Sequence, residues 1–213
     1  MKQAIKRLDA VLRKLMPQMC IAEWGRADTE TVLRDAMLCK EKGLAAISLL
    51  PAAASAARRA AVDVKVFCFV DDAARIPASG GQKNAAVQLF IKDNRIDEVP
   101  DIGDAEIIPA FALRDIEHLD WTRIILAGKK LGGRGFMFID DGGEHIHKFY
   151  DFLDIVGDSW NGEVHYCGAT NDLDKLDDAY RLVEKVRPNL IPKLRLFVGA
   201  EFFRNLDFHY KSI

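Results

Sequence analysis

Acidic side chains recur at one kind of place in this 213-residue chain, just past a short apolar run. Glu23 ends the run that starts at residue 19, and Asp71 and Asp72 follow residues 62–70. Asp140 and Asp141 follow residues 135–139, and Glu201 comes shortly after residues 194–198. His165 lies inside a further run, residues 163–167, which closes on Gly168. Carboxylates grouped in a cleft raise one another's pKa, which suits general acid–base catalysis. The same set, with one imidazole, could hold a hard divalent cation such as Mg²⁺ or Mn²⁺. Each residue also has a plainer reading. An Asp after a strand commonly caps the next helix, which applies to Asp140 and Asp141. His165 could be a hydrogen-bonded core residue, and Glu23 beside Trp24 a packing neighbour.

The last two runs end in Gly168-Ala169-Thr170 and Gly199-Ala200. Such loops can bind phosphate through backbone N–H groups and a helix N-terminus. Gly168, Thr170 and Gly199 are therefore candidate substrate-binding positions, with Arg204 as a charge-assisted partner. His145 and His147 suggest a metal pair, but on a helix an i, i+2 spacing sets them about 200° apart. A solvated first turn accounts for them better. The chain has no G-x-S-x-G elbow, no P-loop and no H-E-x-x-H.

The elements that would position these residues alternate. Apolar runs at 19–24, 45–50, 62–70, 87–91, 106–113, 135–139, 163–167 and 194–198 read as eight strands. About six helices accompany them. One spans 28–43, capped by Asp28 or Thr29 and stopped by Gly43; an alanine-rich one spans 52–61. Stripes with helical spacing cover 116–131, 146–156 and 173–183, the last capped by Asn171 or Asp172. Strands apolar throughout, not alternating, are buried on both faces, as in a parallel sheet. The first strand is followed by Glu23-Trp24-Gly25-Arg26, without the G-x-G-x-x-G of a doubly wound sheet. The expectation is one domain over residues 1–213, a (β/α)8 TIM-like barrel. It has an extra amphipathic N-terminal helix, covering the barrel floor or a neighbouring subunit, and an irregular stretch around 71–104. In such a barrel the active site forms at the strand C-termini, where the acids fall.

Composition narrows the function classes. Thirty basic residues against 32 acidic give a net charge of −2, so there is no global basic field for nucleic acid. No run of about 18 apolar residues exists to span a membrane. The start of the chain lacks a signal-peptide pattern. Cys20, Cys39, Cys68 and Cys167 are far apart and form no C-x-x-C pair, which fits a reducing, cytoplasmic setting.

Several stretches resemble the class I aldolase barrels, deoxyribose-phosphate aldolase in particular. DTETVLRDAMLCKEKGLAAISLLPAAASAARRAAVDVKVFCFV, residues 28–70, resembles that family's first helix through third strand. RIDEVPDIGDA resembles its fourth-strand region and GRGFMFIDDGG its sixth strand. GEVHYCGATNDLDKLDDAYRLVEKV is similar to its seventh strand and following helix. The resemblance implies a Schiff-base lysine on the sixth strand, where Phe138 falls, and a second lysine on the seventh, where His165 falls. It also implies an acid near Asp101. Lys92 is the only lysine near a strand C-terminus.

The expectation is a lysine-independent lyase or isomerase acting on a small carbonyl or phosphorylated metabolite. Asp140, Asp141, His165, Glu201 and Glu23 are its candidate catalytic residues, and a homo-oligomer is an open option. Two alternatives stay open. One is a divalent-metal-dependent barrel resembling sugar isomerases, although the fifth strand, EIIPAFAL, ends without a carboxylate. The other is a non-catalytic relative that binds a metabolite or a partner.

Overall fold

A computed structural model describes residues 2–25, 28–60, 63–71, 86–92, 106–118, 121–132, 134–157, 160–168 and 172–211. Eight strands are β1 (Met19–Glu23), β2 (Ala46–Leu49), β3 (Lys65–Val70), β4 (Ala86–Phe90), β5 (Glu106–Ala112), β6 (Gly135–Asp140), β7 (Glu163–Gly168) and β8 (Leu194–Gly199). All neighbours pair in parallel and in sequence order, and β8 returns to β1, so the sheet closes into a barrel. The described residues hold seven α-helices: α1 (Lys2–Leu15), α2 (Thr29–Lys42), α3 (Pro51–Arg59), α4 (Trp121–Lys130), α5 (Ile146–Ile155), α6 (Leu173–Val186) and α7 (Ala200–Lys211). The (β/α)8 expectation holds.

Local chemistry explains the helix ends. The Asp28 carboxylate accepts the Thr31 N–H at 2.8 Å and caps α2. Gly43 ends α2 with φ +68°, a conformation glycine adopts without a Cβ penalty. Asp172 caps α6 by accepting the Asp174 N–H. The helix expected over 116–131 splits into a 3-10 turn at Leu113–His118 and then α4. Of the stretch expected to be irregular, β4 is a regular strand between β3 and β5. Asp72, Asp101 and most of the remainder lie outside the described residues.

The N-terminal helix joins the outer ring instead of covering the floor. Leu12 and Leu15 are buried in the layer between helices and sheet, and Lys14 pairs with Asp177 of α6 at 3.1 Å. The apolar face of α1 finds its partner on the flank of the same barrel.

Candidate functional site

Strand alternation decides which side chains can meet. One apolar cluster takes residues from all eight strands, including Cys20, Ala46, Phe67, Ala86, Ile108, Met137, Cys167 and Phe197. These residues fill the lumen. The other cluster takes the alternate strand positions together with the helices, and it includes Phe136, Phe138, Val164 and Tyr166. Phe138 therefore points out of the lumen, against Trp121, Phe149 and Phe152. The inward residues of β6 are Met137 and Ile139. Phe138 thus cannot stand at an inward, Schiff-base position, and neither inward residue is a lysine. Lys92 lies just beyond β4 and is exposed.

The same alternation separates the candidate acids. Asp140, two residues past Phe138, faces the helix layer and is fully buried. Its Oδ2 accepts the Tyr166 hydroxyl at 2.8 Å. Its Oδ1 accepts the His145 backbone N–H at 3.2 Å and lies 3.3 Å from His145 Nδ1. Burial, then the hydrogen bond to Asp140 and its charge, push the Tyr166 phenol well above its ordinary value, so it stays a donor. Asp141 is half exposed and pairs with Arg114 at 2.8 Å. Glu201 is exposed on the first turn of α7. Glu23 accepts from Arg204 at 3.1 Å, and the same guanidinium grips the buried Asp35 of α2. The expected ring of rim carboxylates thus resolves into three separate paired groups, plus Asp71 and Glu201, both exposed. Among the described residues no group of three or more His, Cys, Asp or Glu could hold a metal ion.

The phosphate-loop candidates fare unevenly. Gly168 ends β7 and Gly199 ends β8, while Thr170 lies outside the described residues. Arg204 is committed to Asp35 and Glu23; the Asp35 contact, ahead of other influences, raises its pKa further. It ties α7 to α2 and β1.

His165 enters a different assembly. It is fully buried in the lumen, where a polar chain runs from one mouth to the other. Trp24 Nε1 donates to Ser48 Oγ at 2.9 Å, and Ser48 donates to Gln88 Oε1 at 2.5 Å. Gln88 Nε2 lies 2.8 Å from His165 Nδ1, and His165 Nε2 lies 3.1 Å from Glu163 Oε2. An indole N–H can only donate, so Ser48 accepts there and spends its own proton on Gln88. The Gln88 amide then donates to Nδ1, and His165 carries its proton on Nε2, directed at Glu163. Burial holds the imidazole below its ordinary pKa; Glu163 opposes this, but nearby Arg195 and Lys65 reinforce it. Burial would raise the Glu163 carboxyl, but the His165 hydrogen bond and Lys65, 2.8 Å away, outweigh it and bring it to about 2. Above the chain, Trp24 stacks on Phe69 at 4.1 Å, and Phe90 lies beside them. The C-terminal mouth thus has an aromatic floor. Cys167 is also in the lumen, and burial pushes its thiol up to about 12, so it is no ready nucleophile.

Two structural features exceed the sequence expectations. One hydrogen bond of the lumen chain joins residues 77 positions apart, with no motif to announce it. The Asp140–His145 pair had a weak signal: an acid, two glycines and a histidine within six residues. His145 sits just before α5, with φ −109° and ψ 19°, so helical spacing does not govern its direction.

No protein-family model matches the chain, and no curated protein matches it. Among solved structures it is similar to one described as a putative deoxyribose-phosphate aldolase from Toxoplasma gondii ME49. The TM-score is 0.67 and the identity 13%, over 98% of this chain and 97% of that one. A second of that description, from Coccidioides immitis, has a TM-score of 0.56 and 14% identity, over 91% and 85%. The (S)-3-O-geranylgeranylglyceryl phosphate synthase from Thermoplasma acidophilum, in complex with sn-glycerol-1-phosphate, has a TM-score of 0.52 and 17% identity, over 95% and 94%. The chain shares the eight-stranded parallel barrel fold with these structures.

Proposed function

We propose that this barrel is an enzyme of the lyase or isomerase kind, working at its C-terminal rim on a small carbonyl or phosphorylated metabolite. In this reading His145 moves the proton. The observation that carries it is the contact of His145 Nδ1 with the fully buried Asp140 carboxylate, which Tyr166 holds from its other side. A carboxylate on Nδ1 fixes the tautomer and leaves Nε2 as the base. The His145 side chain is partly exposed and reaches solvent at the strand ends. Asp140 is then a positioning residue, and no Schiff base is required. Among the described strands the only inward lysine is Lys65, at the opposite end of the barrel. Glu23, Asp141, Glu201 and His165 support the surroundings in this reading. A second reading, metabolite binding without turnover, is favoured by the existing partners of two rim acids: Arg204 holds Glu23 and Arg114 holds Asp141.

The test is a turnover screen with aldol and isomerisation substrates, small aldehydes and sugar phosphates. His145→Gln is expected to lower kcat by about 10²–10⁴-fold, the range for one acid–base group, with KM little changed. Asp140→Asn is expected to shift the pH–rate profile as well as its height. Full activity in His145→Gln would overturn the proposal. So would inactivation by borohydride in the presence of substrate that Lys92→Ala abolishes. Binding of a screened metabolite without turnover would establish the second reading.

A further inference from the structure

A concavity among the described residues lies at the other end of this barrel. A cleft of about 650 Å³ opens at the strand N-termini. That is the size of a small-molecule site. Lys65, Arg134, Lys193 and Arg195 line it, against the two carboxylates of Glu106 and Glu163. The cleft therefore carries an excess of two positive charges in a chain whose net charge is −2. Glu163 is shared by Lys65 at 2.8 Å and Arg195 at 3.5 Å, and Arg134 pairs with Glu106 at 2.6 Å. Two donors remain poorly used. Lys193 Nζ donates to the backbone carbonyl of Asn161, and Arg195 Nε is buried with no hydrogen-bond partner. Arg195 Nη1 donates to the Pro192 and Leu194 carbonyls, so the guanidinium is held in place and contributes a fixed positive charge to the cleft wall. Trp160, wedged between Phe136 and Phe152, forms a fixed aromatic wall.

We infer that this N-terminal cleft binds a small polyanion bearing phosphate or carboxylate groups. The site is separate from the rim chemistry and does not depend on it. Arg134 and Lys193 would meet the anion near solvent, and Arg195 would meet it deepest. Glu163, the last acceptor of the lumen chain, lies in the same wall, so the bound anion would touch the inner polar chain through Arg195 and Lys65.

The test uses the full chain, with inorganic pyrophosphate and citrate as the two probes, titrated by calorimetry and tryptophan fluorescence at low salt. The expected result is one site that weakens as salt rises. Lys193→Gln and Arg134→Gln should each weaken it about fivefold or more, as losing one charge-assisted contact of about 1 kcal/mol would. Both side chains are at least partly exposed, so the variants should fold, checked by circular dichroism. Arg59→Gln removes the same charge from exposed α3 and should change binding less than about twofold. Trp160→Phe should keep the calorimetric signal and lose the fluorescence change. Tighter pyrophosphate identifies phosphate as the preferred group, and tighter citrate identifies carboxylate. Binding of neither probe would overturn the site. So would equal weakening by Arg59→Gln, or a fluorescence change that survives in Trp160→Phe.

Discussion

His165 shows how one side chain can be chemically interesting and still keep away from solvent. Both ring nitrogens are engaged, Nδ1 with Gln88 and Nε2 with Glu163, and the ring lies between Phe67 and Phe197. Its folded pKa is depressed by burial, so the sign of its linkage to stability is fixed. Above the ordinary value near 6.5 its contribution is complete. As pH falls below that, the unfolded chain takes up a proton that the lumen refuses, and stability drops. Glu163 adds a second loss between its ordinary 4.5 and about 2, because the folded carboxylate stays ionised while the unfolded one protonates. Denaturant titrations at several pH values should therefore show stability falling from pH 7 to 5 and again below 4.5. His165→Gln should flatten the first fall and also shrink the second, because the His165 contact is the largest influence holding the Glu163 carboxyl down. An unchanged slope from pH 7 to 5 in that variant would remove His165 as its source.

Helices and strands decide which residues of the sequence could ever meet. Arg204 joins α7 to α2 and β1 through Asp35 and Glu23. Arg204→Met leaves Asp35 buried and unpaired, and should cost about 3 kcal/mol, the scale for breaking a buried ion pair. A thermal melt should register it; a loss below about 0.5 kcal/mol would mean that α7 docks by its apolar face alone. Gly135, the first residue of β6, is needed for a different reason. A Cβ there would lie 2.3 Å from the Glu163 carbonyl oxygen, so even alanine would push β6 and β7 apart. The strand and helix order was legible in the sequence because short runs such as VFCFV and GFMFI, rich in aromatic and β-branched residues, alternate with longer stretches of helical spacing. Which face of those runs points inward was not legible. Strands apolar on both faces offer no contrast between lumen and helix layer. That is why Asp140 could be expected at the mouth when it faces the helices. The N-terminal cleft was also hidden: Lys65, Arg134, Lys193 and Arg195 are spread over about 130 positions and meet only after the sheet closes.

At the scale of the molecule, the barrel and its outer ring form one packing problem. An aromatic cluster joins β6 to α4 and α5, where Trp121, Phe136, Phe138, Phe149, Phe152 and Trp160 lie ring against ring. Helix α1 belongs to this whole even though it precedes the first strand. Leu15 is fully buried and Leu12 nearly so, each worth about 1.5–3 kcal/mol of burial. Deleting residues 2–15 should lower the melting midpoint by several degrees, at about 2–4 °C per kcal/mol for a chain of this size, and expose apolar surface to dye binding. An unchanged midpoint would show α1 to be an appendage.

The lumen chain, finally, makes the barrel a conductor of one kind and an insulator of another. Its donors all point the same way, from the Trp24 indole to the Glu163 carboxylate. Each end locks that orientation, because an indole cannot accept and an ionised carboxylate cannot donate. A charge added beside Glu163 would polarise every dipole up to Trp24. Yet the Gln88 amide in the middle holds its protons too tightly to pass one on. The two mouths can sense each other's charge through the barrel, and neither can lend the other a proton.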